Sequence, residues 1–201
     1  MKILFATSNP HKVDEVRAIL SRLGIDVVGL DSLGEIPPEP EEHGDRFEQI
    51  ARDKALAYAR ATGLSCLAED SGLSVDALGG APGVRSARYS GTEGSRAERD
   101  RANNEKLLAA LFGVPREQRG ARFVCAMCLA APDGSIVAET RGTYEGAIAE
   151  EPRGGNGFGY DPLLYLPDVG RTSAELSPEE KNARSHRGAA ARAMAERLER
   201  L

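Results

Sequence analysis

The chain has 201 residues, 41% of them hydrophobic and 28% charged, with a formal net charge of −5. That composition suits one sizeable globular core, and the acidic balance excludes sequence-independent binding to long nucleic acids, which draws on many basic side chains. No apolar run approaches the roughly 18 residues of a membrane span, and no secretory leader is read, so no membrane partner and a cytoplasmic location are expected.

The first strand is expected at Ile3 to Ala6, followed by Thr7-Ser8-Asn9-Pro10-His11-Lys12. Val13, Val16, Ile19, Leu20 and Leu23 then recur at helical spacing, closed by Gly24. A strand that runs through hydroxyl and amide residues into a helix N-terminus offers unpaired N–H groups and about +0.5 charge to an anion. Lys12 adds a full charge, and Pro10 suits the first turn because its missing N–H would be unpaired there anyway. An ordinary capped helix with a solvated lysine fits the same residues.

Ile25 to Leu30 reads as a second strand, and Asp31 to Gly44 as an acidic loop, with Pro37, Pro38 and Pro40 among Glu35, Glu39, Glu41 and Glu42. A second helix runs from Asp45 to about Ala61, ended by Gly63. Leu64 to Ala68 forms a third strand that stops at Glu69-Asp70-Ser71-Gly72. Beyond Gly79-Gly80-Ala81-Pro82-Gly83 and a polar stretch to Ser95, a third helix covers Arg96 to Leu111. Arg122 to Ala131 and Ser135 to Ile148 flank Pro132-Asp133-Gly134 as a hairpin. Ser177-Pro178-Glu179-Glu180 opens a helical tail that breaks or bends between Ser185 and Gly188. Strand and helix alternate early and a hairpin follows, which gives an α/β fold with a mixed sheet. Ligands of open α/β sheets sit beyond the carboxyl ends of strands, where both Thr7 to Lys12 and Glu69 to Gly72 are expected.

Three cysteines, Cys66, Cys125 and Cys128, close no disulfide set and complete no zinc site, so they read as packing residues. Only five of the 26 basic residues are lysines, and Lys12, Lys54 and Lys181 fall in segments with chemical character. Glu69 and Asp70 pair two carboxylates beside a hydroxyl, a donor set that suits Mg2+ completed by substrate phosphates; a solvated loop start has the same composition. In Asn156-Gly157-Phe158-Gly159-Tyr160-Asp161-Pro162, two glycines open the backbone beside aromatic rings, so Phe158 or Tyr160 can lie on a flat ligand while Asp161 or backbone groups read its edge. A turn whose aromatics fill the core is the competing reading. Lys181 with Ser185-His186-Arg187 supplies donors for carbonyl or phosphate oxygens, or simply a solvated helix face.

Together these segments resemble the inosine/xanthosine triphosphate pyrophosphatase family over essentially the whole chain. The carriers are Thr7 to Lys12, Glu69-Asp70-Ser71-Gly72-Leu73 with Gly79 to Gly83, Gly157-Phe158-Gly159-Tyr160-Asp161-Pro162, and Glu180-Lys181 followed by Ser185-His186-Arg187. The resemblance implies one domain over residues 1–201, built on an elongated mixed sheet with flanking helices and two lobes around a nucleotide cleft. It implies Mg2+-dependent hydrolysis of dITP, ITP and XTP to monophosphate and pyrophosphate, a homodimer, and no stable nucleic-acid binding. By the same resemblance, Thr7, Ser8, Asn9, Pro10, His11, Lys12 and Lys54 hold the triphosphate, Ser8 standing where many members have glycine. Asp70 is the catalytic carboxylate, with Glu42 and Glu69 as further metal ligands and Glu41 competing with Glu42. Ser71 touches substrate, Phe158, Gly159, Tyr160 and Asp161 line the base, and Lys181, His186 and Arg187 complete the site. The alternatives are a nucleotide-binding regulator without hydrolysis, a related enzyme for modified pyrimidine or other nucleoside triphosphates, and a nucleic-acid-binding protein, which the net charge disfavours.

Overall fold

Among the described residues, seven strands form one mixed sheet in the order β2-β1-β3-β4-β5-β6-β7. The structure is a computed structural model that describes residues 2–200, with nothing described of the His11 side chain. In chain order the strands are β1 (Lys2–Phe5), β2 (Asp26–Gly29), β3 (Cys66–Val75), β4 (Gly120–Ala130), β5 (Ile136–Ile148), β6 (Leu164–Leu166) and β7 (Arg171–Thr172). The helices are α1 (Pro10–Leu20), α2 (Phe47–Thr62), α3 (Arg96–Ala110), α4 (Pro178–Arg184) and α5 (His186–Leu198). β1 pairs in parallel with β2 and β3, whereas β5, β6 and β7 pair antiparallel, so the expected mixed α/β sheet is present.

The chain divides into two compact units, the first made of residues up to Asp70, 125–143 and from Ser185 on, the second of 71–124 and 144–184. In the first, successive side chains of β1 go to opposite faces, as the two-residue period of a strand requires. Ile3 and Phe5 pack with Val13, Val16 and Leu20 of α1 and Ala190, Ala191 and Met194 of α5. Leu4 packs on the other side with Ala51, Ala55, Tyr58 and Ala59 of α2. Burying both faces explains the near-continuous apolar run at residues 3–6. Cys125 and Cys128 fall in these two opposite clusters, as their spacing on β4 dictates. α5 lies close on β5 because position 142 is glycine: a Cβ there would come within 2.5 Å of Ala190 N.

The second unit has its own core, in which Leu73 and Val75 of β3 meet Leu107 and Leu111 of α3 together with Phe123, Tyr144, Ile148 and Tyr160. Ser95 and Glu98 form a reciprocal capping box at the start of α3.

Several boundaries move. α1 starts at Pro10, ahead of the apolar rhythm, and α2 starts at Phe47. β3 does not stop at Ala68; it continues through Glu69 to Gly72 as far as Val75. Full burial of Leu73 and Val75 supplies the reason, since this continuation fills the second core and overrides the turn-like Asp-Ser-Gly composition. β1 nevertheless ends at Phe5, opposite Leu67, so Glu69 and Asp70 still lie beyond the carboxyl end of their neighbour.

Candidate active site

The alternation of β3 sends Glu69 and Asp70 in different directions. Leu67 shares a core with α1 and α5, so Glu69, two residues on, is directed to that side. Ala68 packs with α2, and Asp70 follows it there. Two distinct charge clusters result.

Glu69 is only 5% exposed and is surrounded by cations. Lys12, in the first turn of α1, places Nζ 2.7 Å from Oε1. Arg187, in the first turn of α5, donates Nε to Oε2 at 2.7 Å and Nη2 to Oε1 at 3.0 Å. Its Nη1 donates to Glu15 Oε2 at 3.0 Å. Burial pushes the Glu69 carboxyl up, but Arg187 and then Lys12 outweigh it and hold the group well below the ordinary carboxylate range. The neighbouring Cys125 thiol, 3.4 Å from Glu69 Oε2, is raised well above its ordinary value by burial and then by that charge.

On the other side, Lys54 of α2 forms an ion pair with Glu42 of the acidic loop, and both side chains are largely buried. Glu41 points away, 87% exposed beside His43, which separates the two candidates for a loop carboxylate. Asp70 senses Lys54, Glu42, Lys12 and Glu69, yet its Oδ2 is buried without a hydrogen-bond partner. Desolvation dominates, and the carboxyl is pushed up to about 6. A buried acceptor left unmet costs about 1–3 kcal/mol, the kind of burden expected where a group is kept ready for chemistry.

Among the described residues no three His, Cys, Asp or Glu side chains gather as a metal cluster. A Mg2+ ion needs no such cluster, because it usually takes one or two carboxylates and completes its shell with water and substrate phosphate. The unmet Asp70 oxygen with Glu42 nearby fits that requirement. Glu69 differs from the expected ligand role, since Lys12 and Arg187 already occupy both of its oxygens.

The segment from Thr7 to Lys12 turns from β1 into α1 as its sequence suggests. Asn9 O accepts Lys12 N at 3.1 Å and Val13 N at 3.3 Å, so Asn9 caps α1 and Pro10 begins it. Thr7 Oγ1 accepts Asn9 N at 3.2 Å and fixes the turn, while Ser8 is exposed. The His11 side chain lies outside the described residues. Ser71 follows Asp70 on β3 and is half-buried.

In the second unit Phe158 is 38% exposed, with the Arg96 guanidinium 4.3 Å and Lys181 Nζ 5.0 Å from its ring centre. Asp161, 2% exposed, turns inward. It accepts Phe158 N at 2.8 Å, Lys181 Nζ at 2.5 Å and Ser173 Oγ at 2.8 Å. Tyr160 is also interior, its hydroxyl donating to Ser86 O at 2.8 Å. Phe158 therefore presents the open aromatic face of this segment, whereas Tyr160 and Asp161, expected against a ligand, anchor the loop to the core.

Arg187 likewise differs from expectation: only 3% exposed, it directs its donors at Glu69 and Glu15, because a buried guanidinium requires carboxylate partners. His186 is buried beside it at the start of α5, where Ser185 Oγ accepts Gly188 N at 3.0 Å.

Sequence reading missed Glu15, Arg96, Asp100 and Asn104. Glu15 stands one helical turn from Lys12, and the other three recur four residues apart along α3, a stripe that helical periodicity would have shown.

The comparisons with known proteins point one way. A chain from Anaeromyxobacter named dITP/XTP pyrophosphatase is 47% identical over 226 aligned positions, covering 100% of this chain and 98% of its own. A dITP/XTP pyrophosphatase of Yersinia pseudotuberculosis is 48% identical, with 98% of each chain covered. The solved structure of a HAM1 protein from Coxiella burnetii superposes with a TM-score of 0.90 at 39% identity, covering 100% of both chains. The model of the Ham1 family matches residues 3–197, and the chain belongs to that family.

Proposed function

We propose that the protein is a nucleoside-triphosphate pyrophosphatase that hydrolyses dITP, ITP and XTP to the monophosphate and pyrophosphate, clearing them before incorporation into nucleic acid. The observation that carries the reading is Asp70 Oδ2, a buried carboxylate oxygen without a partner, set beside the cations Lys12 and Lys54. Relatives that share nearly half of their residues with this chain over their whole length bear the same activity in their names.

The residues divide the work. Lys12, Lys54 and the N–H groups at the start of α1 take the phosphate charge. Glu69, Arg187 and Glu15 are positioning residues, which hold Lys12 in place by a neutralised, buried network. Asp70 accepts a proton from the attacking water on one of its carboxylate oxygens, the other being left for a metal, as the water oxygen adds to the α-phosphorus and pyrophosphate leaves. Phe158 stacks the purine while Lys181 stays at its edge. Asp70 and Glu42 would hold Mg2+, which supplies Lewis-acid charge stabilisation for the triphosphate.

A homodimer and a cytoplasmic setting complete the proposal, and light scattering at twice the chain mass tests the former. The function itself is tested by incubating purified protein and Mg2+ separately with dITP, XTP, dGTP and dATP. Pyrophosphate release from dITP and XTP, with the standard nucleotides largely spared, is the expected result. Orthophosphate release, or equal rates on all four, contradicts it.

A further inference from the structure

The segment that carries Phe158 is loose by composition and is held from outside. Gly157 and Gly159 flank the ring at φ of +79° and +62°, conformations that a residue with a Cβ rarely adopts and that impose little stiffness on their own. A cavity of about 330 Å³, lined by Asp100, Asn104, Leu108, Phe158, Gly159 and Pro162 among others, lies against the loop, so close packing does not fix it there. Asp161 ties down Phe158 N from within the loop, and two hydrogen bonds from α3 hold Gly159 from outside. Asp100 Oδ2 accepts Gly159 N at 2.9 Å, and Asn104 Nδ2 donates to Gly159 O at 3.0 Å. Both side chains come from consecutive turns of one face of α3, and Arg96, one turn earlier, lies over the Phe158 ring and 3.9 Å from Asp100. Asn104 makes this contact while its Oδ1 stays buried without a partner. The bond that the Asn104 side chain makes is thus the one to Gly159 O, and an apolar residue there would leave that carbonyl without this donor.

From this geometry we propose that Asp100 and Asn104 are positioning residues for the purine end of the site: by gripping the N–H and C=O of Gly159, they set the orientation in which Phe158 receives the base. The proposal rests on the reading of Phe158 as the base-stacking residue. It predicts a defect confined to base binding. Asp100→Ala raises KM for dITP about tenfold, the effect of losing one charge-assisted hydrogen bond, with kcat within about twofold. Inhibition by inorganic tripolyphosphate, which probes the phosphate end alone, is unchanged, and the Gly159 amide exchanges its hydrogen faster. Asp100→Asn keeps an acceptor and restores KM to within about twofold. Asn104→Asp nearly preserves shape but sets a carboxylate against Gly159 O, and it raises KM even if Asp100→Ala proves too unstable to assay. An unchanged KM in Asp100→Ala and Asn104→Asp overturns the proposal, as does a loss of kcat with KM intact, or a weakened tripolyphosphate site. A wild-type protein inactive on dITP overturns the functional reading instead, and the Gly159 exchange rate still reports whether the grip exists.

Discussion

Replacing Arg187 with Met should remove three hydrogen bonds to carboxylates and leave Glu69 in a nearly dry site with Lys12 as its remaining cation. Deleting one partner of such a pair costs about 3–5 kcal/mol, because the uncompensated charge keeps its desolvation penalty. Lys12 is 24% exposed and still neutralises part of that charge, so the lower end applies. For a chain of this length each kcal/mol moves Tm by about 2–4 °C, so a fall of roughly 6–12 °C is expected at neutral pH. The informative comparison is the double variant Glu69→Gln/Arg187→Met. It removes both buried charges and should recover at least half of the lost stability, while turnover stays low because Lys12 has lost its anchor. Urea denaturation followed by circular dichroism measures all three proteins. A single variant within about 1 kcal/mol of wild type, or a double variant less stable than the single one, would refute the argument that charge compensation holds this site together.

Gly157→Ala should be destabilising by about 1–2 kcal/mol from backbone strain alone, since φ there is +79°. The added Cβ would also press on Asp161 Cγ at 2.9 Å and Lys181 Nζ at 3.0 Å, so KM for dITP should rise with the fall in Tm; a variant neutral in both measurements contradicts this. The cysteine thiols should be silent in the folded protein. Burial pushes Cys66 and Cys128 up to about 12 and raises Cys125 well above its ordinary value, so at pH 8 almost no thiolate is present to react. Ellman's reagent should therefore label none of the three before urea is added and all of them afterwards, and rapid labelling of any thiol in native buffer would show the burial to be misjudged.

What could be read from the sequence was governed by range. Periodicity located α1, and the scarcity of lysine picked out Lys12, Lys54 and Lys181, all of which make buried or half-buried ion pairs. Pro132-Asp133-Gly134 announced its turn, where Gly134 N donates to Ala131 O at 3.0 Å. Local composition failed at β3, because the second core that draws Leu73 and Val75 inward is assembled from residues far away in the chain. It failed again at Glu69 and Arg187, which are 118 positions apart: each resembles a group offered to a ligand, and only their meeting turns both into internal counter-ions. Tyr160 and Asp161 carried the same ambiguity, resolved by Ser86, Ser173 and Lys181, none of which belongs to the motif.

The central claim is that Asp70 acts on the water while the surrounding cations hold the phosphates. Asp70→Asn keeps the shape of the side chain but removes its ability to take a proton. Calorimetric binding of dITP alongside a coupled pyrophosphate-release assay, both with Mg2+, separates the two roles. The account predicts that dITP still binds with an affinity within roughly tenfold of wild type, while pyrophosphate release falls by at least about 10²-fold, the low end of a general base's contribution. Release retained within a few-fold of wild type would contradict it and move the chemistry to another group.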